Sequence, residues 1–155
     1  MKLINYLIIL TFFLFSIAFA KEKPPFKNIL VLDNPKMYKE IIFQDRDNNK
    51  IDLKKINSGE IYILNFWATW CGPCKEEMPS LDKLHAKDGI IVYPINLEDK
   101  NLKKTGKFYK DLNIKNLNIY FDEEFKLVKV FSIRGVPTTI ILNKNKDAIA
   151  RITGG

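Results

Sequence analysis

The stretch that decides the fold runs from Ile61 to Pro79 and reads IYILNFWATWCGPCKEEMP. Residues 61–66 form a continuous apolar, β-branched and aromatic run, the pattern of a strand buried on both faces of a sheet. A short loop follows. From Cys71 the residues favour a helix through about Ala86, with a kink expected at Pro79 because proline lacks an amide donor. The stretch therefore predicts a buried strand, a loop, and a helix that begins at a pair of cysteines.

Cys71 and Cys74 are the two cysteines of the chain, which excludes a framework of several disulfides. Two cysteines and one histidine also cannot supply the four ligands of a structural zinc site. Residues three apart in a first helical turn lie close enough to form a disulfide after small rotations. Unpaired amides at a helix N-terminus stabilise a thiolate, so we expect Cys71 to be the attacking nucleophile. Cys74, one turn inward, is then the resolving cysteine.

The rest of the chain alternates strands and helices and ends in a hairpin. The predicted elements are a hairpin at residues 41–44 and 50–53, a strand at 90–95, a helix at 101–112, a strand at 117–121, a helix at 123–131, and a final hairpin at 138–142 and 147–153. This order indicates an α/β fold with a sheet of mixed direction. Residues 21–39 are charged and contain prolines, so they are predicted to be a linker before a domain at 40–155.

The first twenty residues have the pattern of a targeting segment. Lys2 is followed by the uncharged, mostly apolar residues 3–19, and the segment ends in Ala18-Phe19-Ala20. This pattern predicts either a cleaved signal peptide or a membrane anchor. Both place the domain in the periplasm or on the outer face of the cytoplasmic membrane.

Composition limits the function classes. The chain has 155 residues, a net charge of +7 and 46% hydrophobic residues, which fits one globular domain and excludes a disordered chain. Lysine is spread along the sequence without arginine-rich runs, so we expect no nucleic-acid partner. We also expect a monomer.

Residues 65–79 and the segment Gly135-Val-Pro-Thr-Thr139 resemble the thioredoxin-like superfamily. Within it, the sequence is most similar to the exported TlpA/ResA-type thiol-disulfide oxidoreductases. The resemblance covers about residues 40–154. It implies a mixed central sheet flanked by helices, an N-terminal β-hairpin extension and a strand–helix insertion. Such proteins usually close with a helix after the last hairpin, whereas this sequence stops at Thr153-Gly-Gly155. Either the sequence is truncated or one sheet face is uncovered; with the final helix missing, we expect Ile140 and Leu142 to be exposed.

The resemblance also implies roles for residues around the cysteines. Pro137 is expected to be a cis proline facing the cysteine pair, and Val136 to offer backbone groups to an extended substrate. The predicted substrate contacts are completed by Trp70, Gly72 and Pro73.

Two polar residues of the same stretch matter for the thiols. Glu77 matches a glutamate of the family and is predicted to tune the thiols, the alternative being an ordinary exposed helix residue. Asn65 stands where thioredoxin has a buried, titrating aspartate. Outside this stretch, we expect Trp67 to be a packing residue and His85 to lie at the surface.

The function implied by the resemblance is reduction of protein disulfides by exchange at Cys71 and Cys74. Electrons would come from a membrane thiol donor, and the substrates would be apocytochromes or copper-site assembly proteins. No cofactor or metal is expected beyond the redox-active disulfide. Three alternatives stay open: an oxidase that introduces disulfides, a metallochaperone that binds copper(I) through the two thiolates, and a purely structural disulfide.

Overall fold

The computed structural model describes residues 28–154, so the predicted signal peptide or anchor at residues 1–20 lies outside the described residues. The strands are β1 (Ile29–Lys36), β2 (Ile42–Asp45), β3 (Lys50–Asp52), β4 (Ile61–Trp67), β5 (Ile90–Asn96), β6 (Tyr120–Phe121), β7 (Thr138–Leu142) and β8 (Ala148–Thr153). The helices are α1 (Gly72–His85), α2 (Leu102–Asp111) and α3 (Lys126–Val130), with short 3₁₀ turns at Leu53–Lys55 and Glu123–Phe125.

All eight strands form one sheet in the order β1-β8-β7-β4-β5-β6-β2-β3. At its centre, β4 pairs in parallel with β5 and antiparallel with β7. This arrangement confirms the predicted thioredoxin-like α/β fold with a mixed sheet. The predicted hairpins, central strands and cysteine-bearing helix are also confirmed. Because α1 follows β4 after a short loop, the cysteine pair lies at the end of the central strand.

Each face of the sheet has its own core. The first core, against the β2–β3 hairpin and α3, is built mainly from large apolar side chains, including Phe43, Phe66 and Phe131. The second core lies under α1 and α2 and contains Trp67 and both cysteines. We call these the hairpin-side core and the cysteine-side core. Because successive side chains of a strand point to opposite faces of the sheet, the residues of each strand are divided between the two cores.

This alternation overturns the expectation that Ile140 and Leu142 are exposed. Their exposed fractions are 3% and 0%, because both point into the hairpin-side core. Ile141 points to the opposite face and is half-buried. The prediction assigned these side chains to the wrong side of β7.

The predicted linker at residues 21–39 is wrong for residues 29–36, which form β1 at the edge of the sheet. Ile29 pairs with Ile152 and Val31 with Ala150, and the register is irregular between Val31 and Lys36. Asp33-Asn-Pro35 lies in that irregular part. Proline is tolerated there because an edge strand leaves one side of its hydrogen-bonding ladder unpaired. The apolar run before it was too short to reveal the strand.

Two further elements differ from their predicted extents. The predicted strand at 117–121 is reduced to Tyr120–Phe121, because the Asp82 carboxylate on α1 accepts backbone hydrogen bonds from Asn116 and Leu117 and holds that segment as a loop. The predicted helix at 123–131 is interrupted by Glu124 and Phe125, which both have positive φ.

His85 was predicted to be a surface residue, but it is half-buried at the end of α1. Its Nδ1 accepts a hydrogen bond of 3.0 Å from the backbone amide of Val92 on β5. The side chain therefore ties the helix to the sheet.

Candidate active site

The cysteines are joined by a disulfide, with their Cα atoms 5.3 Å apart. Cys71 is the N-cap of α1, and its Sγ accepts a hydrogen bond of 3.2 Å from the backbone amide of Cys74. That amide is one of the donors left unpaired at a helix start, and it stabilises negative charge on Cys71 in the reduced protein. Both cysteines are buried, but Cys71 is 4% exposed and Cys74 is 0% exposed, so Cys71 is the more accessible of the two.

The predicted substrate contacts surround this pair. Trp70 is 70% exposed, so its ring offers an apolar surface next to Cys71. Gly72 and Pro73 are also exposed, at the start of α1. The Val136–Pro137 peptide bond is cis, as predicted. Val136 packs against both cores, so this loop lies against the core that holds the disulfide.

Glu77 lies on α1 three residues after Cys74 and is half-buried, so it is not an ordinary exposed helix residue. Its Oε1 accepts a hydrogen bond of 2.7 Å from Nδ2 of Asn65, which also donates to Oγ1 of Thr139 at 3.0 Å. Burial raises the pKa of Glu77, and the Asn65 hydrogen bond opposes this only in part. The carboxyl group therefore holds its proton to higher pH than an exposed glutamate. We call these three residues the Glu77 network.

A second glutamate, Glu98, fixes the loop before Cys71, and sequence reasoning missed it. Its carboxylate accepts hydrogen bonds from the backbone amide of Thr69 and, at 2.9 Å, from the Thr69 hydroxyl. It also forms an ion pair with Lys104 of α2. The Glu98 amide donates to Oδ1 of Asn96 at 2.7 Å. We call these four residues the Glu98 network.

The pKa of Glu98 moves in the opposite direction to that of Glu77. Desolvation acts to raise it, but hydrogen bonds from Lys104, Thr69 and Asn96 together lower it. A sequence signal for this residue does exist. Asn96 ends β5 and Glu98 lies two residues beyond it, where the C-terminal ends of the parallel strands β4 and β5 meet. Polar residues at that edge are candidates for a site.

The profile of the AhpC/TSA family matches residues 36–150. The chain belongs to the AhpC/TSA family. Thiol-disulfide oxidoreductase ResA of Halalkalibacterium halodurans is 29% identical to it over 117 residues, which cover 74% of this chain and 65% of that protein. The match therefore spans slightly less than two thirds of the relative's length.

Solved structures resemble this AhpC/TSA family member over most of its length. StoA from Bacillus subtilis superposes with a TM-score of 0.59 at 26% identity, covering 76% of this chain and 90% of StoA. A DsbF homologue from Corynebacterium diphtheriae has a TM-score of 0.67 at 27% identity, covering 84% of this chain and 87% of the homologue. The family, the fold and the cysteine pair thus agree with the resemblance found in the sequence.

Within residues 28–154, no group of three or more His, Cys, Asp or Glu side chains is placed to hold a metal ion. No helix in this range has the length and apolar character that a membrane crossing requires.

Proposed function

We propose that the protein is an exported thiol-disulfide oxidoreductase that reduces disulfides in protein substrates. The observation that carries the proposal is the placement of Cys71. It caps α1, its sulfur accepts the Cys74 amide, and it lies beside the exposed ring of Trp70. The name of one relative, thiol-disulfide oxidoreductase ResA, supports this class of reaction.

The reaction proceeds by two exchanges. In the reduced protein, the Cys71 thiolate attacks a substrate disulfide, forming a mixed disulfide and releasing one substrate thiolate. The Cys74 thiolate then attacks Cys71 Sγ, which releases the second substrate thiolate and leaves the Cys71–Cys74 disulfide. The substrate gains two electrons and the protein loses two. A dithiol donor restores the reduced pair.

Glu77 is proposed to manage the proton of the resolving step. Cys74 is buried, so its thiol cannot pass a proton directly to bulk water. A partly buried carboxyl group whose pKa is raised is suited to accept that proton, and it lies one helical turn beyond Cys74. Asn65 cannot do this, because an amide does not titrate. It positions Glu77 instead.

Trp70, Gly72, Pro73, Val136 and Pro137 are proposed to hold an extended substrate segment. Together they present a flat apolar ring and backbone groups rather than a deep pocket. We propose apocytochromes or copper-site assembly proteins as substrates and a membrane thiol protein as donor. The apolar segment at residues 3–19 supports a location outside the cytoplasm.

Trapping tests this function. A Cys74→Ser variant expressed in its own cell should accumulate a mixed disulfide between Cys71 and its substrate, because the resolving step is lost. Cys71→Ser is the matched control and should trap nothing. If Cys71→Ser traps proteins and Cys74→Ser does not, the roles are reversed.

The reduction potential separates the reductase from its main alternative. We expect a value near or below about −270 mV, whereas an oxidase would lie near about −120 mV. Stoichiometric copper(I) binding without dithiol turnover would instead indicate a metallochaperone.

A further inference from the structure

A groove of ≈ 650 Å³ begins at the cis-proline loop and runs towards the start of β1. Val136 and Pro137 line one part of it, and Leu30 and Thr153 line another. It lies at the edge where β7 begins and β8 ends. Phe66, next to the end of β4, pairs with Thr138, which pairs with Thr153. Neighbouring strands lie about 4.8 Å apart, so the groove extends roughly 5–15 Å from the strand that leads to Cys71.

The charged side chains that line this groove are basic. Arg134 and Arg151 both line it, and none of the described residues that line it is acidic. Arg151 is held in place, because its guanidinium donates to the carbonyl oxygens of Phe131 and Ser132 at 2.7 and 3.0 Å. Arg134 is exposed, and within residues 28–154 its side chain forms no hydrogen bond or ion pair. Its guanidinium is therefore available to a ligand.

Apolar surface lies beside these arginines. Leu30 is 58% exposed on β1, and Val136 is half-buried at the other side of the groove. A small inorganic anion would use the guanidinium groups and leave this apolar surface wet. A polypeptide with one acidic side chain next to apolar residues would use both.

We propose that this groove binds an acidic residue of the substrate protein, close in sequence to the cysteine that Cys71 attacks, and that Arg134 is the specificity-determining residue. The proposal rests on the proposed reductase function. A substrate segment bound along the cis-proline loop passes next to Arg134, which lies two residues before Val136. The acidic side chain forms an ion pair with Arg134, and its neighbours cover Leu30. Substrates with a basic residue at that position are disfavoured.

The test uses short peptides whose single cysteine forms a mixed disulfide with thionitrobenzoate. Attack of the Cys71 thiolate on the peptide sulfur releases the coloured thionitrobenzoate anion, and Cys74 then releases the peptide thiolate. Each peptide carries one test residue, which is Glu, Gln or Lys. The test residue is placed in turn at each of the four positions before and the four positions after the cysteine. The reduced full-length chain reacts once with each peptide, and the ratio of the second-order rate constants for thionitrobenzoate release is measured between the Glu and Gln peptides.

We expect the Glu peptide to react about two- to fivefold faster than the Gln peptide at one or two adjacent positions, the effect of one partly exposed ion pair. The Lys peptide should be the slowest there. In Arg134→Gln the Glu to Gln ratio should fall to about one, and Arg134→Lys should restore part of it. Arg46→Gln is the matched control, because Arg46 is exposed in the β2–β3 turn and its loss changes the net charge equally.

The possible outcomes distinguish a failure of the groove proposal from a failure of the proposed reductase function. If the reduced protein releases no thionitrobenzoate from any peptide, the reductase function fails. If all peptides react alike, or if the Glu preference survives in Arg134→Gln, only the groove proposal is overturned. Equal loss of the preference in Arg46→Gln and Arg134→Gln would also overturn it, since long-range attraction to the basic protein would then explain the effect.

Discussion

Glu77, three residues after Cys74, and Glu98, hydrogen-bonded to the loop before Cys71, lie in opposite environments. Among residues 28–154, the Glu77 carboxylate accepts a single hydrogen bond, from Asn65, and burial raises its pKa. The Glu98 carboxylate accepts hydrogen bonds from Thr69 and Lys104, which help to lower its pKa. Burial alone therefore does not decide the charge of a carboxyl group. The number of donors directed at it does.

This difference assigns the two residues separate tasks. A carboxylate that satisfies a buried backbone amide and a lysine serves as a fixed anchor, since protonation would break those contacts. A carboxyl group with few donors changes its protonation at lower cost, so it can take part in a reaction. Glu98 thus positions the loop that carries Trp70 and Cys71, and the environment of Glu77 supports the titrating role proposed for it.

The largest effect should come from truncating the anchor. Glu98→Ala leaves the Thr69 amide without its acceptor and Lys104 without its ion pair, so the free energy of unfolding should fall by about 2–3 kcal/mol. Glu77→Ala removes one acceptor from Asn65, which keeps its bond to Thr139, and should cost about 1 kcal/mol or less. Urea denaturation of the oxidised proteins measures both. Equal losses of unfolding free energy in the two variants would contradict the assignment of Glu98 as the structural anchor.

The pH dependence of stability should have opposite sign at the two sites. The Glu98 contribution is present above the ordinary glutamate pKa of 4.5 and is lost as pH falls through its lowered folded value. For Glu77, stability decreases as pH rises from 4.5 through its raised folded value, because the folded state binds the proton more tightly.

Melting temperatures measured from pH 3 to 8 test these signs. In Glu98→Gln, the melting temperature should fall less as the pH is lowered than it does in the unchanged protein. Glu77→Gln should raise the melting temperature near neutral pH relative to acid by a few degrees. Parallel profiles for the two variants would contradict the opposite directions of their pKa shifts.

Thiol reactivity should respond to Glu77 more than to Glu98. In the reduced protein, Glu77→Gln should move the pH profile of alkylation of the cysteine pair by about 0.5–1 pH unit, because a nearby carboxylate perturbs thiol titration. Glu98→Gln should move it less, since Lys104 balances the Glu98 charge. Iodoacetamide labelling rates between pH 5 and 10 provide the measurement. An unchanged profile in Glu77→Gln would remove its proposed role.

The smallest expected effect concerns Lys104. Its side chain is 53% exposed, so the ion pair with Glu98 is screened by water, and Lys104→Gln should cost about 0.5 kcal/mol. Lys107→Gln is the matched control, because Lys107 pairs with Asp111 on the same helix and away from Glu98. Only the Lys104 variant should alter the pH dependence of stability. A loss above about 2 kcal/mol would mean that Lys104 itself fixes the loop.

The contrast between the two glutamates also shows what the sequence could predict. The helix that starts at Cys71, the buried strand before it and the position of Glu77 follow from local spacing and from the resemblance. The position of Glu98 just after β5 makes it a site candidate, but its contact with Thr69 joins residues 29 positions apart, so no local pattern identifies that partner. β1 was missed for a related reason: its pairing with β8 depends on a distant segment, and its own apolar run is short. Ile140 and Leu142 were assigned to the wrong face because the alternation of side chains along a strand does not show which face of the sheet is covered by other elements.

The Asn65 amide oxygen is buried and has no hydrogen-bond partner within residues 28–154, while its nitrogen serves two acceptors. Rotation of the carboxamide by half a turn would place the oxygen against Glu77 and Thr139 instead. An ionised Glu77 repels that oxygen, whereas a protonated Glu77 can donate to it, and so can the Thr139 hydroxyl. The orientation of the Asn65 carboxamide should therefore depend on whether Glu77 is ionised or protonated. The side-chain NH₂ resonances of Asn65 in a ¹⁵N-resolved NMR titration should change at the pH where Glu77 takes up its proton.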